Sequence, residues 1–127
     1  MLLLATSIFP AIAKAIDGSD PIQQRMEVLC TSAQNMQIYL GELTLETMGD
    51  PYTAVDLVNK EVSDPHACMI RTARFTEDRV ATRMATPKGV FLIYKVGVIA
   101  TVIGGEMVPT FGKERYMYIS RKDTSSK

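Results

Sequence analysis

The stretch VFLIYKVGVIATVI, residues 90–103, decides the fold class of this sequence. It has 14 residues, of which all but Lys95 are apolar or small, and it is rich in β-branched side chains. A membrane-spanning helix needs about 20 apolar residues, so the run instead predicts two buried strands, divided or bulged at Gly97. Apolar side chains fall on both faces of these strands. We therefore expect the second face to be covered by a short helix, by the N-terminal segment or by another chain.

Turn signals surround this run and predict an antiparallel meander. Thr86-Pro87-Lys88-Gly89 fits a type I turn, with Pro second and Gly fourth. Gly104-Gly105 and residues 109–112 predict further turns, and Glu77-Asp78 predicts a turn between two strands. The predicted strands are residues 69–76, 79–85, 90–96, 98–103 and 114–121. Residues 122–127 are polar and predict a frayed tail.

The first half of the chain predicts helices instead of strands. Asp20-Pro21 and Asp50-Pro51 are typical helix starts, because Asp accepts the free amide protons of a first turn and Pro is tolerated there. Apolar or small residues follow Asp20 at steps of four and three, as one helical stripe requires. They are Ile22, Met26, Leu29, Ala33, Met36, Leu40 and Leu43. The pattern predicts one long helix over residues 21–48 with Gly49 as its C-terminal cap, and a second over residues 51–62, with Asp64-Pro65 in a loop.

The predicted fold is therefore α+β, with one long amphipathic N-terminal helix and a short second helix packed on a four- to five-stranded antiparallel meander. The chain has 127 residues, of which 46% are hydrophobic and 22% charged. This length and composition predict a single globular domain, residues 16–121, and exclude a two-domain enzyme or a disordered chain. The heptad-like stripe also suggests an alternative, a cytoplasmic homodimer with the first helix as its seam.

The N-terminal residues 1–15 resemble a secretory signal peptide in their pattern. MLLLATSIFPAIA carries no charge, is shorter than a membrane span, and leads into small residues at Ala13 and Ala15. We expect cleavage after Ala15 and a periplasmic or secreted mature chain with no transmembrane segment. No Lys or Arg lies near Met1, so the alternative is a buried N-terminal helix or strand.

Cys30 and Cys68 are the only cysteines of the sequence. An even count in an exported chain predicts one intramolecular disulfide bond. In the cytosolic alternative, both are small buried hydrophobic residues with free thiols.

The zero net charge of the sequence hides a strong segregation. Residues 16–65 hold nine acidic and two basic residues, a net −7, and residues 66–127 hold five acidic and eleven basic ones, a net +6. With Lys14 the sum is zero. The asymmetry indicates either two halves that attract each other or a basic surface for an anionic partner.

The arginines of the basic half are the candidate residues for binding an anion or a partner. They are Arg71, Arg74, Arg79 and Arg83. On a hairpin turning at Glu77-Asp78, we expect Arg71, Arg79 and Arg83 to share one face and to offer planar donors to phosphate, carboxylate or sugar-acid groups. The alternative interpretation is a set of solvated arginines that pair with acidic helix residues.

Catalytic and metal-binding signatures are scarce. The sequence has no H-E-x-x-H, C-x-x-C, G-x-S-x-G or P-loop motif, so we expect no metal and no cofactor. A Cys68 nucleophile beside His66 is disfavoured, because two residues along an extended chain separate side chains by about 7 Å. A metal site of Cys30, Asp64, His66 and Cys68 is disfavoured too, since a disulfide would remove its thiolates.

These features favour a small exported protein that binds a protein or an anionic envelope component without catalysis. The near-neutral charge disfavours nucleic acid as a partner. Two alternatives stay open. One is a small hydrolase or lyase with unidentified acidic catalytic residues, assisted by His66 or an arginine, and the other is the helix-mediated dimer.

Overall fold

The computed structural model describes residues 21–45 and 49–124. It contains two helices and a five-stranded antiparallel sheet, as the α+β prediction requires. The elements in chain order are β1 (Gln23–Cys30), α1 (Ala33–Leu45), α2 (Pro51–Glu61), β2 (Cys68–Thr86), β3 (Gly89–Ile103), β4 (Glu106–Pro109), a 3-10 turn (Gly112–Arg115) and β5 (Tyr116–Lys122). The expected signal segment, residues 1–15, and the helix start at Asp20 lie outside the described residues. Neither α1 nor α2 is long and apolar enough to cross a bilayer.

The prediction of one long N-terminal helix is wrong, because its first part is β1. This strand pairs with β2 along its whole length, from Gln23 opposite Phe75 to Cys30 opposite Cys68. Gln, Met, Glu and Leu favour a helix in isolation, but cross-strand pairing and burial of alternate residues decide the outcome here. Met26, expected in the helical stripe, is 61% exposed on β1.

The first helix begins only at Ala33, after a cap that the sequence analysis missed. The Ser32 hydroxyl oxygen accepts a hydrogen bond from the Asn35 amide at 3.0 Å, which satisfies one of the free donors of the first turn. Met36 and Leu40 are buried within the chain. The seam suggested for a helix-mediated dimer is therefore interrupted by a strand, and its second half is occupied by this domain's own core.

The second helix follows its prediction closely. The Asp50 carboxylate accepts from the Tyr52 amide at 3.2 Å, and Pro51 is the first helical residue. Gly49, predicted as the C-terminal cap of the first helix, has φ +91° and donates its N–H to the Leu43 carbonyl of α1 at 3.0 Å. The helix start predicted from Asp50-Pro51 is therefore confirmed.

The strand pair β2–β3 is longer and more continuous than predicted. The 19-residue β2 contains Glu77-Asp78, where a turn was expected, and the register with β3 shifts between Glu77 and Arg79. The predicted turn is thus a β-bulge inside one strand, since an extra residue can bend a strand without ending it. A break or bulge in β3 was expected at Gly97. The register shift instead lies just C-terminal to Gly97, between Val98 and Ala100. The turns at residues 86–89 and 104–105 are confirmed.

The sheet closes on itself. Its strand order is β2-β1-β5-β3-β4, and β2 also pairs with β3, so β1, β2, β3 and β5 form a ring. The contact that joins β1 to β5 is Cys30 opposite Tyr118. Alternate residues of all four strands fill the inside, which we call the inner face. They are Leu29, Ala73, Phe75, Val96, Val98, Met117 and Ile119.

The helices cover part of the opposite, outer face. The second core cluster joins both helices to the ring strands through the two cysteines and Ile93. Its helical members are Met36, Tyr39, Leu40, Ala54, Val55 and Val58. The two apolar faces of β3 are thus covered differently, one by the helices and the other by the curvature of the sheet.

Candidate functional site

The predicted disulfide bond between Cys30 and Cys68 is present. Both cysteines are buried at the junction of the helices and the sheet. Bridged sulfurs supply neither a nucleophile nor a metal ligand. Within residues 21–45 and 49–124, no group of three or more His, Cys, Asp or Glu residues is arranged to hold a metal ion.

His66 lies in the exposed loop before β2. Its backbone N–H donates to the Asp64 carboxylate at 2.9 Å, which closes a short turn. Its side chain borders a small cavity beside Arg71. This position places His66 near a cation and two threonines, and the neighbouring Cys68 is already bonded to Cys30.

The prediction that Arg71, Arg79 and Arg83 share one face is wrong. Arg79 lies opposite Lys95 and Arg83 opposite Leu92, positions of β3 that point to opposite faces. Arg71 lies opposite Glu27 and continues the inner-face series of Ala73 and Phe75. The register shifts at residues 77–82 cause this separation, since each bulge exchanges the faces of all later residues.

The four candidate arginines therefore divide into two pairs. Arg71 and Arg83 belong to the inner face, whereas Arg74 and Arg79 point outward with Thr76. Arg83 donates to the Asp123 carboxylate at 2.9 Å, which orders the start of the predicted frayed tail. Arg74 donates to the Gln24 side chain at 3.0 Å, and Arg79 lies 3.5 Å from the Asp78 carboxylate.

An open cleft of about 480 Å³ lies on the outer face, away from the helices. We call it the outer cleft. Its floor is a row of three residues directly opposite one another on β2, β3 and β5, namely Thr76, Gly97 and Tyr116. Gly97 has no side chain, so the row is open between its two outer members. The walls are completed by Val98, Ile99, Thr110, Phe111 and Arg115.

The segment after β4 holds the apolar rim of this cleft. The Thr110 N–H donates to the Ile99 carbonyl at 3.1 Å, and the Thr110 hydroxyl donates to the Val98 carbonyl. These two bonds anchor the loop that carries Phe111. Phe111 is 77% exposed, Tyr116 55% and Ile99 44%. Three large apolar side chains around one concave surface are thus exposed to solvent.

Cations border the same cleft. Arg115 is one of its lining residues, and the Lys95 ammonium lies 5.2 Å from the centroid of the Tyr116 ring. Arg79 is directly opposite Lys95 on the neighbouring strand. The rim therefore combines aromatic rings with positive charge, and Asp78 offsets part of that charge through its contact with Arg79.

A second polar cluster lies on the inner face at the opening of the ring. Arg25 donates to Glu27 and Arg121 donates to Glu77, while the Arg25 guanidinium also lies 3.8 Å from Glu77. The Arg25 guanidinium lies 5.1 Å from the centroid of the Phe75 ring, within cation–π distance. Both carboxylates are thus held by arginines, so this cluster stabilises the ring and offers no free acid–base pair.

The acidity of Tyr39 is clearly perturbed. Burial in the core, together with the negative charges of Glu27 and Asp50, raises the pKa of its hydroxyl from 10.0 to about 12. A tyrosine with this pKa is neutral at physiological pH. Its side chain is part of the core cluster that joins the helices to the sheet.

The outer cleft was not predicted from the sequence. Phe111 and Tyr116 carried no local signal that separates them from ordinary sheet-face residues. Gly97 was the one available signal, because a glycine within a strand often marks a close approach or a gap beside its neighbours. No protein-family model, curated protein or solved structure matches this chain.

Proposed function

We propose that this chain is an exported, disulfide-stabilised binding domain that engages a protein partner through the outer cleft without catalysis. The observation that carries the proposal is the exposure of Phe111, Tyr116 and Ile99 around one concave surface. Aromatic side chains and arginine dominate the energetics of protein interfaces, and here both kinds of residue border one cleft.

The charge of the rim specifies the chemistry of the partner. Arg115 and Lys95 border the cleft, and Arg74 and Arg79 flank Thr76 on the same face. Positive potential at a rim attracts acidic partners and accelerates their association. The fitting partner is therefore an acidic protein segment that places an apolar side chain between Phe111 and Tyr116.

The proposed export has separate support. The Cys30–Cys68 disulfide is a bond that persists in oxidising compartments and is rare in the cytosol. The signal-like pattern of residues 1–15 agrees with such a compartment. Mass spectrometry of the chain purified from its natural source is expected to show a mature N-terminus at Ile16 and the loss of two thiol hydrogens. A chain that retains Met1 and carries free thiols would contradict export.

Affinity capture from an envelope fraction tests the cleft. Wild-type bait is compared with a Phe111→Ser, Tyr116→Ser double variant after mild crosslinking. We expect the double variant to lose the specific partner, because loss of one interface hot spot lowers affinity by about 30-fold or more. Higher salt is expected to weaken capture by wild type, since the rim attraction is electrostatic.

Met26→Ser is the matched control for this capture experiment. Met26 is another large exposed apolar residue, but it lies on β1, apart from the cleft. This variant is expected to retain the partner at wild-type level. If the double variant and Met26→Ser retain the same proteins in the same amounts, while both are folded, the outer cleft is not the binding surface.

A further inference from the structure

A second, smaller cavity lies on the inner side of the sheet. Its volume is about 110 Å³. It is lined by His66, Met69, Arg71, Thr101, Ile103, Thr110 and Met117, and we call it the inner cavity. Thr110 borders both this cavity and the outer cleft. The other lining residues of the two sites differ, so the inner cavity is a separate candidate for a ligand.

Arg71 carries the fixed positive charge of this cavity. Among the described residues, no hydrogen bond or ion pair involves its guanidinium, although the residue is half-buried. Glu27 lies directly opposite on β1, but its carboxylate accepts from Arg25. Arg74 and Arg83, on the same strand, are each engaged by a side chain. An anion in the cavity would accept the hydrogen bonds that the Arg71 N–H groups do not make within the protein.

We propose that the inner cavity binds a single carboxylate group, held by Arg71. The guanidinium offers two parallel N–H donors, which match the two oxygens of a carboxylate. The Thr101 hydroxyl and the His66 ring are the remaining polar groups able to donate to it. The Thr110 hydroxyl is not a free donor, because it already donates to the Val98 carbonyl.

The size and walls of the cavity favour a carboxylate over a tetrahedral dianion. Its volume of about 110 Å³ is well below the roughly 300 to 1,000 Å³ of sites for drug-sized ligands, which suits a short acid. Met69, Ile103 and Met117 give the site apolar walls. One fixed cation in apolar surroundings balances one negative charge, whereas phosphate or sulfate carries more charge and is costlier to dehydrate.

Titration of the full chain with sodium butyrate, followed by NMR chemical shifts, tests this site. We expect shifts at residues around Arg71 and Thr101 in wild type, and at least tenfold weaker binding in Arg71→Gln. Arg71→Lys, which keeps the charge but loses the planar fork, is expected to bind more weakly than wild type. Butyrate is also expected to raise the Tm of wild type but not that of Arg71→Gln, and this readout shows that the variant is folded.

Arg74→Gln is the matched control, because it removes an arginine three residues away that points to the outer face. It is expected to bind butyrate as wild type does. Equal butyrate binding by wild type and Arg71→Gln would overturn the proposal, as would phosphate binding more tightly than butyrate. None of these outcomes depends on a partner in the outer cleft.

The carboxylate has two chemical sources, a small free acid or the C-terminus of a peptide. N-acetylalanine and its amide distinguish them from each other and from an unspecific apolar ligand. Binding of N-acetylalanine at least as tightly as butyrate indicates a peptide terminus, and preference for butyrate indicates a free acid. Binding of the uncharged amide as tightly as the acid would contradict recognition of a carboxylate.

Discussion

Cys30, the last residue of β1, lies directly opposite Cys68, the first residue of β2, and a disulfide bond joins them. The bond spans 38 positions of sequence and encloses both helices in a covalent loop. Cys30 also lies opposite Tyr118 of β5. The covalent link and the closure of the sheet therefore meet at one residue.

Breaking this disulfide is expected to lower the stability of the domain substantially. A closed loop of 38 positions corresponds to about 3 to 4 kcal/mol in the chain-entropy description of the unfolded state. Urea unfolding of oxidised and reduced wild type, together with Cys30→Ala, Cys68→Ala, measures the loss. Reduced protein that unfolds at the same urea concentration as oxidised protein would contradict it.

The arginine–carboxylate cluster on the inner face is expected to stabilise the domain more than the exposed ion pair beside it. Glu77 accepts from Arg121 and is partly buried, so Glu77→Ala removes a charge-assisted bond and should cost about 1.5 to 3 kcal/mol. The next residue provides the comparison. Asp78→Ala removes an exposed pair at 3.5 Å and should change stability by less than about 1 kcal/mol. Chemical unfolding measures the free energy of unfolding of both variants. Similar losses in the two variants would show that the cluster stabilises the domain no more than the exposed ion pair does.

Substitution of two glycines by alanine is expected to change the stability of the domain in opposite directions. Gly41 lies inside α1, where an added Cβ meets no atom within 4 Å, so Gly41→Ala should stabilise by about 1 kcal/mol. Gly89 has φ +126°, and a Cβ there would lie 2.9 Å from Lys122 Cε. Gly89→Ala should destabilise by about 1 to 3 kcal/mol, because alanine is strained in that conformation. Thermal unfolding of each variant gives the sign, and a stabilising Gly89→Ala would refute the hairpin geometry.

The raised pKa of Tyr39 predicts a loss of stability at alkaline pH. The hydroxyl has a pKa of about 12 in the folded protein and 10.0 as its ordinary value, so the unfolded chain releases this proton first. The stabilisation is complete below pH 10 and declines as the pH rises toward 12. Tyr39→Phe is expected to flatten the decline, by on the order of 2 kcal/mol at its upper end. Identical slopes of unfolding free energy against pH in the two proteins would argue against a buried Tyr39 hydroxyl.

Local signals predicted the parts of the fold that are built locally. Asp50-Pro51 begins a helix, Pro87-Lys88 turns a hairpin and Gly104-Gly105 turns another, as their sequences indicate. The pairing of Cys30 with Cys68 was also predicted, because no other cysteine competes.

The features that the sequence does not predict depend on partners that are distant in the chain. Gln23–Cys30 has a helical composition, and only its pairing with residues 68–75 makes it a strand. The faces of the arginines depend on bulges in β2, and one extra residue reverses each assignment. The outer cleft requires Thr76, Gly97 and Tyr116 to align across three strands, a register that no single segment encodes.

The position of β1 between β2 and β5 sets an order for assembly during synthesis. The hairpin of β2 and β3 and the pairing of β1 with β2 need only residues that emerge early, up to Ile103. The ring, in contrast, cannot close before Tyr118 is available, because β5 is the last strand of the described residues. A chain that lacks β5 leaves the hydrophobic lining of the ring exposed. Premature termination near Gly112 should therefore produce an aggregation-prone product that depends on chaperones.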